Sequence, residues 1–118
     1  MLDSSLTIYF SEDSEASEFE AVSRGWRQDV YVLIEKALFQ LYIYTPERLV
    51  QDFQAELEYY DYYRVDSNLV LVTSADKETI ISTILHLYAD DYFKEIKPLE
   101  NDITDSLIKI YPKGDALL

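Results

Sequence analysis

Between Leu6 and Phe10, Leu6, Ile8 and Phe10 alternate with Thr7 and Tyr9, the period-two pattern of a half-buried strand. From Val30 to Tyr44 the chain is almost continuously apolar and rich in β-branched and aromatic residues, which predicts strand rather than surface helix. The parity flips inside this run. Val30, Val32 and Ile34 share one face, whereas Phe39, Leu41 and Ile43 sit on the other parity, so a bulge, bend or tight reversal must fall near Glu35 to Ala37. Two strands follow more naturally than one.

At Thr45-Pro46-Glu47 a capping hydroxyl, a proline at the first helical position and a carboxylate near the positive dipole end coincide. This predicts a helix over 46–60. Leu49, Val50, Phe53, Leu57 and Tyr60 fall in one arc of that helix and are expected in the core. A buried strand is predicted over Asn68–Val72, and Ser74 is placed to cap a second helix over 75–88. Its apolar arc holds Ile80, Ile81, Ile84, Leu85, Leu87 and Tyr88, with Thr79, Ser82 and His86 on the opposite side. Short strands are predicted around 92–96 and 106–111. The order β-β-β-α-β-α-β-β gives an α+β fold, a mostly antiparallel sheet with two helices packed on one face.

Composition narrows the function. With 118 residues, 48% of them hydrophobic, the chain can bury one core, and residues 1–118 are expected to form a single domain. Ten Lys plus Arg stand against 23 Asp plus Glu, a formal net charge of -13, and that field repels phosphate backbones. No direct nucleic-acid partner is expected. Residues 1–23 hold Asp3, Glu12, Asp13, Glu15, Glu18 and Glu20 with no Lys or Arg, which predicts a solvated, partly flexible loop after the first strand. The absence of Cys and the single His leave no ordinary zinc, thiolate-haem or iron–sulfur site, and no cofactor or metal is expected. Two glycines are too few for a nucleotide-binding loop. The first twenty residues show neither a basic leader nor an apolar span, so the expected location is cytoplasmic, with no membrane partner.

Reactive constellations are thin. Ser82 and His86 form an i, i+4 couple, but the segment has no glycine elbow to build an oxyanion hole, and an exposed helical histidine is the better account. Asp90 and Asp91, with Asp61 or Asp66, could ligate a hard cation, yet the sequence lacks a calcium-loop motif. A carboxylate pair for glycoside chemistry would also need a groove that so small a domain has little room for.

Tyrosine is more informative, with 11 in the chain. Tyr31, Tyr42, Tyr44, Tyr60 and Tyr88 are expected to fill sheet and helix interfaces. The run Tyr59-Tyr60-Asp61-Tyr62-Tyr63-Arg64 cannot all point inward from consecutive positions. Some of those rings must face solvent or a partner, and Tyr is favoured at binding hot spots. Asp52, Glu56 and Tyr59 share one flank of the predicted 46–60 helix at i, i+4 and i+7. Together with Asp61, Tyr62, Tyr63 and Asp66 they make a candidate protein-binding surface, with Asp90 and Asp91 as a second patch.

The stretch LFQLYIYTPERLVQDFQAE, then YYRVDSNLVLV, then an isoleucine-rich helix ending LYADDYFKEI, resembles the bacterial toxin-immunity proteins grouped as immunity protein 8, some of which serve contact-dependent growth inhibition. The likeness covers roughly residues 30–97 and centres on Thr45-Pro46-x-x-Leu49. It implies a non-enzymatic protein that binds and blocks a cognate toxin domain. A chain of charge -13 suits a basic nuclease toxin, whose phosphate-binding cleft carboxylates could fill. A monomer or weak dimer is expected. The alternatives are a general acidic adaptor without a toxin and a small enzyme using Asp90, Asp91 or His86.

Overall fold

A computed structural model describes residues 6–112 of the protein. The alternating segment forms β1 (Leu6–Phe10), with Leu6, Ile8 and Phe10 fully buried. The long apolar run forms a hairpin of β2 (Trp26–Ile34) and β3 (Ala37–Tyr44). The parity flip has its structural cause at the turn, where Glu35 adopts the left-handed region at φ 56. The sheet is completed by β4 (Leu69–Leu71) and β5 (Ile108–Tyr111) in the order β4-β3-β2-β1-β5. Every pairing is antiparallel except β3 with β4. A parallel pair needs a crossover, and α2 (Pro46–Glu56) lies within it. The fold is α+β with a mostly antiparallel sheet.

One sheet face is the core. Leu6, Ile8 and Phe10 of β1, Val30 and Val32 of β2, and Phe39, Leu41 and Ile43 of β3 pack with Ile80 and Ile84 of α3 (Lys77–Ala89), and with Val72, Ala75, Phe93, Ile96 and Ile110. The expected pair of helices on that face is not borne out. No residue of α2 is buried, and its Arg48 lies over Trp26, whose parity, with that of Tyr44 stacked on it, places it on the opposite face.

Four sequence expectations are corrected. Residues 11–23 were expected as a loop, but α1 (Glu15–Arg24) forms there, started by a capping box in which Ser14 and Ser17 satisfy each other. Two carboxylates of this run find cations. Glu18 accepts from Arg27 at 3.0 Å and from the Lys77 backbone N–H, and Asp13 pairs with the Lys77 ammonium. The helix predicted over 46–60 stops at Glu56, with carboxylates and no cation near its negative end. The strand predicted around 92–96 is a 3-10 turn, Tyr92–Lys94, because Asp91 takes the left-handed conformation at φ 64 and turns the chain so that Phe93 and Ile96 reach the core. The cap of α3 is Asp76 rather than Ser74.

Arg27 fastens α1 to the sheet. It is 1% exposed and lies over the Phe10 ring, with its guanidinium carbon 4.1 Å from the centroid. The register shift between Arg27 and Val30 places Asp29 beside it, and Asp29 accepts two bonds from the fork, at 2.8 and 3.2 Å. Burial pulls the Arg27 pKa down, but the hydrogen bonds and charges of Asp29 and Glu18 outweigh it and hold the group above its ordinary value.

Candidate functional site

α2 presents the reverse of the surface its pattern predicts. The side turned toward the body is the polar flank: Arg48, Asp52 and Glu56 are half-buried, and Arg48 pairs with Asp52 at 3.1 Å. The apolar stripe faces outward, with Val50 51%, Phe53 40% and Leu57 45% exposed. The assignment of Val50, Phe53, Leu57 and Tyr60 to the core is therefore overturned, and Leu49 is only half-buried. The physical reason lies in the sheet. Its core face is already occupied by α3, and at the end of its other face Trp26, stacked on Tyr44 at 6.3 Å between centroids, meets Arg48 of α2.

Tyr63 is the hinge of this arrangement. Its ring lies 6.4 Å from that of Phe53. Burial first, then the nearby Tyr44, Asp52 and Glu56, push its hydroxyl pKa up, helped by a hydrogen bond shared with Tyr44. So Tyr63 converges with Asp52 and Glu56, whereas Tyr59, nominated on their flank, lies beyond the end of α2. A shallow apolar groove of about 240 Å³ runs between α2 and the following segment, lined by Leu49, Val50, Phe53, Tyr63 and Val65.

The other nominated residues border this groove or continue its chain. Tyr59 and Tyr62 are exposed, at 78% and 59%, and Tyr62 packs on Tyr60 at 5.8 Å. Asp61 and Asp66 are exposed, and the Asp66 carbonyl accepts from Leu69 N–H at 3.1 Å to start β4. Asp90 and Asp91 lie at the end of α3, both exposed. Tyr92, next to Asp91, donates to the carbonyl of Ser67, next to Asp66, at 3.0 Å. One hydrogen bond thus ties the second patch to the end of the tyrosine loop.

The expected interface tyrosines divide. Tyr44 is buried and Tyr31, Tyr42 and Tyr88 are half-buried, while Tyr60 is exposed at 55%. Val50, Phe53, Leu57 and Val65 were missed as surface residues, and the signal available was that a single small sheet face cannot take two apolar helices. His86 and Ser82 are both exposed. Among the described residues no group of three or more His, Asp or Glu is arranged to hold a metal ion, and no helix is long and apolar enough to cross a membrane. Chemically the surface can bury hydrocarbon and rings at its centre and pair carboxylates with cations at its edge.

Compared with known protein families, curated proteins and solved structures, the chain has no match.

Proposed function

We propose that the protein is an immunity protein, binding and neutralising a cognate cytotoxic effector domain, a basic nuclease of the contact-dependent growth inhibition kind, by occupying it rather than by turnover. One observation carries the reading. The amphipathic helix α2 turns its apolar stripe to solvent beside exposed tyrosines, with the exposed Asp61 and Asp66 close by in the chain. An apolar patch rimmed by polar groups is the anatomy of a protein interface. Aromatic anchors supply area with few torsions to freeze, and surrounding carboxylates select a cationic partner and accelerate encounter. The sequence resemblance to immunity protein 8 points to the same class.

The test is co-expression with the product of the gene immediately upstream. Co-purification and rescued growth are the expected results, and the association rate should fall by roughly tenfold or more from low to high salt. Co-purification without rescue would favour the adaptor. An association rate indifferent to salt, or an affinity unchanged by Asp61→Lys with Asp66→Lys, would remove the acidic surface from the interface.

A further inference from the structure

At the end of the β2–β3 hairpin away from α2, a half-open cleft of about 400 Å³ lies between the hairpin turn and the end of α3. That volume is within the range of pockets that hold small ligand groups. Its walls are apolar and largely aromatic: Ile34, Ala37, Phe39, Tyr88 and Phe93. Phe39 and Phe93 are buried and in ring contact at 5.2 Å, so the wall they form is fixed. Three charged residues complete the lining, Glu35, Asp91 and Lys94, and all three are exposed.

The charges are arranged unequally. Lys94 pairs with Asp91 at 3.4 Å with both side chains mostly in solvent, a geometry that holds weakly and exchanges easily. Glu35 forms no ion pair with Lys94 or with any other described cation within 4 Å. The cleft therefore combines an aromatic wall, two carboxylates and one loosely held lysine. A long cation suits the wall and the carboxylates, with a hydrocarbon stem for the one and a head for the other, once Lys94 swings away from Asp91 into solvent. Arginine fits better than lysine, because its planar fork can serve two carboxylates and stack on a ring face.

We propose that this cleft receives an arginine side chain of the protein partner, its stem against Phe39 and Phe93 and its guanidinium between Glu35 and Asp91, displacing Lys94. The proposal rests on the reading that the partner is basic, and it adds a second anchoring point, remote from α2, that includes Asp91 of the sequence-nominated patch.

The experiment uses the whole protein and a small probe, N-acetyl-arginine-methylamide, with the Ala37 methyl and the Phe39 and Phe93 ring protons followed by NMR. Saturable shifts at these positions are expected, and the uncharged norleucine analogue should bind about tenfold more weakly or worse. Glu35→Gln with Asp91→Asn should weaken the arginine probe by a similar factor, whereas Lys94→Gln should tighten it by about two- to fivefold. Both changes are at exposed side chains, and unchanged thermal melts would confirm that the fold is intact. Equal binding of the norleucine analogue, or no shift of the wall protons by the arginine probe, overturns the proposal. The two readings fail separately. Partner binding that survives Glu35→Gln with Asp91→Asn but is lost on Asp61→Lys with Asp66→Lys removes the cleft and keeps the acidic α2 surface. A probe that binds here while the purified partner proves anionic removes the partner reading instead.

Discussion

Two helices of this chain carry comparable apolar stripes and meet opposite fates. α3 lays Ile80 and Ile84 on the sheet and buries them completely, whereas α2, the more strongly amphipathic of the two, fully buries no residue and turns Val50, Phe53 and Leu57 outward. The difference lies in what each helix meets. α3 meets a sheet face made of Leu, Ile, Val and Phe from four strands. α2 meets Trp26 and Tyr63, whose amphipathic rings suit Arg48, Asp52 and Glu56 as well as they would suit a leucine. An apolar stripe states that something will cover it, and not that the cover comes from the same chain. One half of the molecule thus closes its own core while the other leaves an apolar stripe open to solvent, and substitutions should separate the two.

The largest effect is expected at Arg27. Arg27→Ala removes the cation from Glu18 and Asp29, takes a packed side chain off Phe10, and frees α1 from the sheet. Loss of one partner from a buried ionic cluster costs about 3–5 kcal/mol, read as a drop in urea unfolding free energy. Ile84→Ala, in the α3 contact with the sheet, should cost about 2–5 kcal/mol by leaving a cavity. A cost below about 1 kcal/mol at both positions would break the division proposed between the two halves.

Gly25 joins the halves and should come next. It ends α1 at φ 79, and its carbonyl accepts from Thr45 N–H at 2.8 Å just before α2. A Cβ there would stand 2.8 Å from Thr45 Oγ1, so Gly25→Ala combines left-handed backbone strain with a side-chain clash. About 1–2 kcal/mol of destabilisation is expected, together with weaker capping of α2. Helical circular dichroism that stayed unchanged while stability fell would show that only α1 feels the substitution.

On α2 itself the order of effects inverts. Phe53→Ser and Leu57→Ser, at side chains already 40% and 45% exposed, should alter stability by no more than about 0.5 kcal/mol, yet each should weaken binding to the cognate partner by about 1–2 kcal/mol as an interface anchor. Destabilisation on the scale of Ile84→Ala would mean that α2 belongs to the core after all.

Much of this molecule could be read from its residues because the signals were local. Alternation marks β1, the parity flip between Ile34 and Phe39 marks the hairpin turn, and Thr45-Pro46 marks the start of α2. What could not be read depends on distant partners. The acid-rich run looks like a solvated loop until Arg27 and Lys77 are brought beside Glu18 and Asp13, nine to 64 residues away. The strand expected around 92–96 fails because Phe93 and Ile96 are drawn into a core that the local pattern does not show. The candidate surface was half legible: its carboxylates and Tyr59, Tyr62 and Tyr63 were visible as residues too crowded to bury, but its apolar centre carries the same periodic stripe as a core-facing helix.

The smallest expected effect is a pH dependence, and it sharpens the contrast from the tyrosine side. Tyr63 is raised by burial and by Tyr44, Asp52 and Glu56, and Tyr31 and Tyr92 are raised first by burial and then by neighbouring negative charge. A tyrosine whose pKa is higher folded than unfolded keeps its proton in the native state after the unfolded chain has lost it. Its contribution is therefore complete below the unfolded value near 10 and is lost as the pH rises through the folded value. Tyrosinate absorbance in native protein should lag behind that of the denatured chain over this alkaline window, and Tyr63→Phe should reduce the lag while leaving neutral-pH stability nearly unchanged. The carboxylates of α2 act on Tyr63 from the flank that faces the body, so Asp52→Asn with Glu56→Gln should lower the Tyr63 value without touching Tyr31 or Tyr92. If all three tyrosines moved together in that variant, the polar flank of α2 would not be what holds Tyr63, and the outward turn of Val50, Phe53 and Leu57 would need another cause.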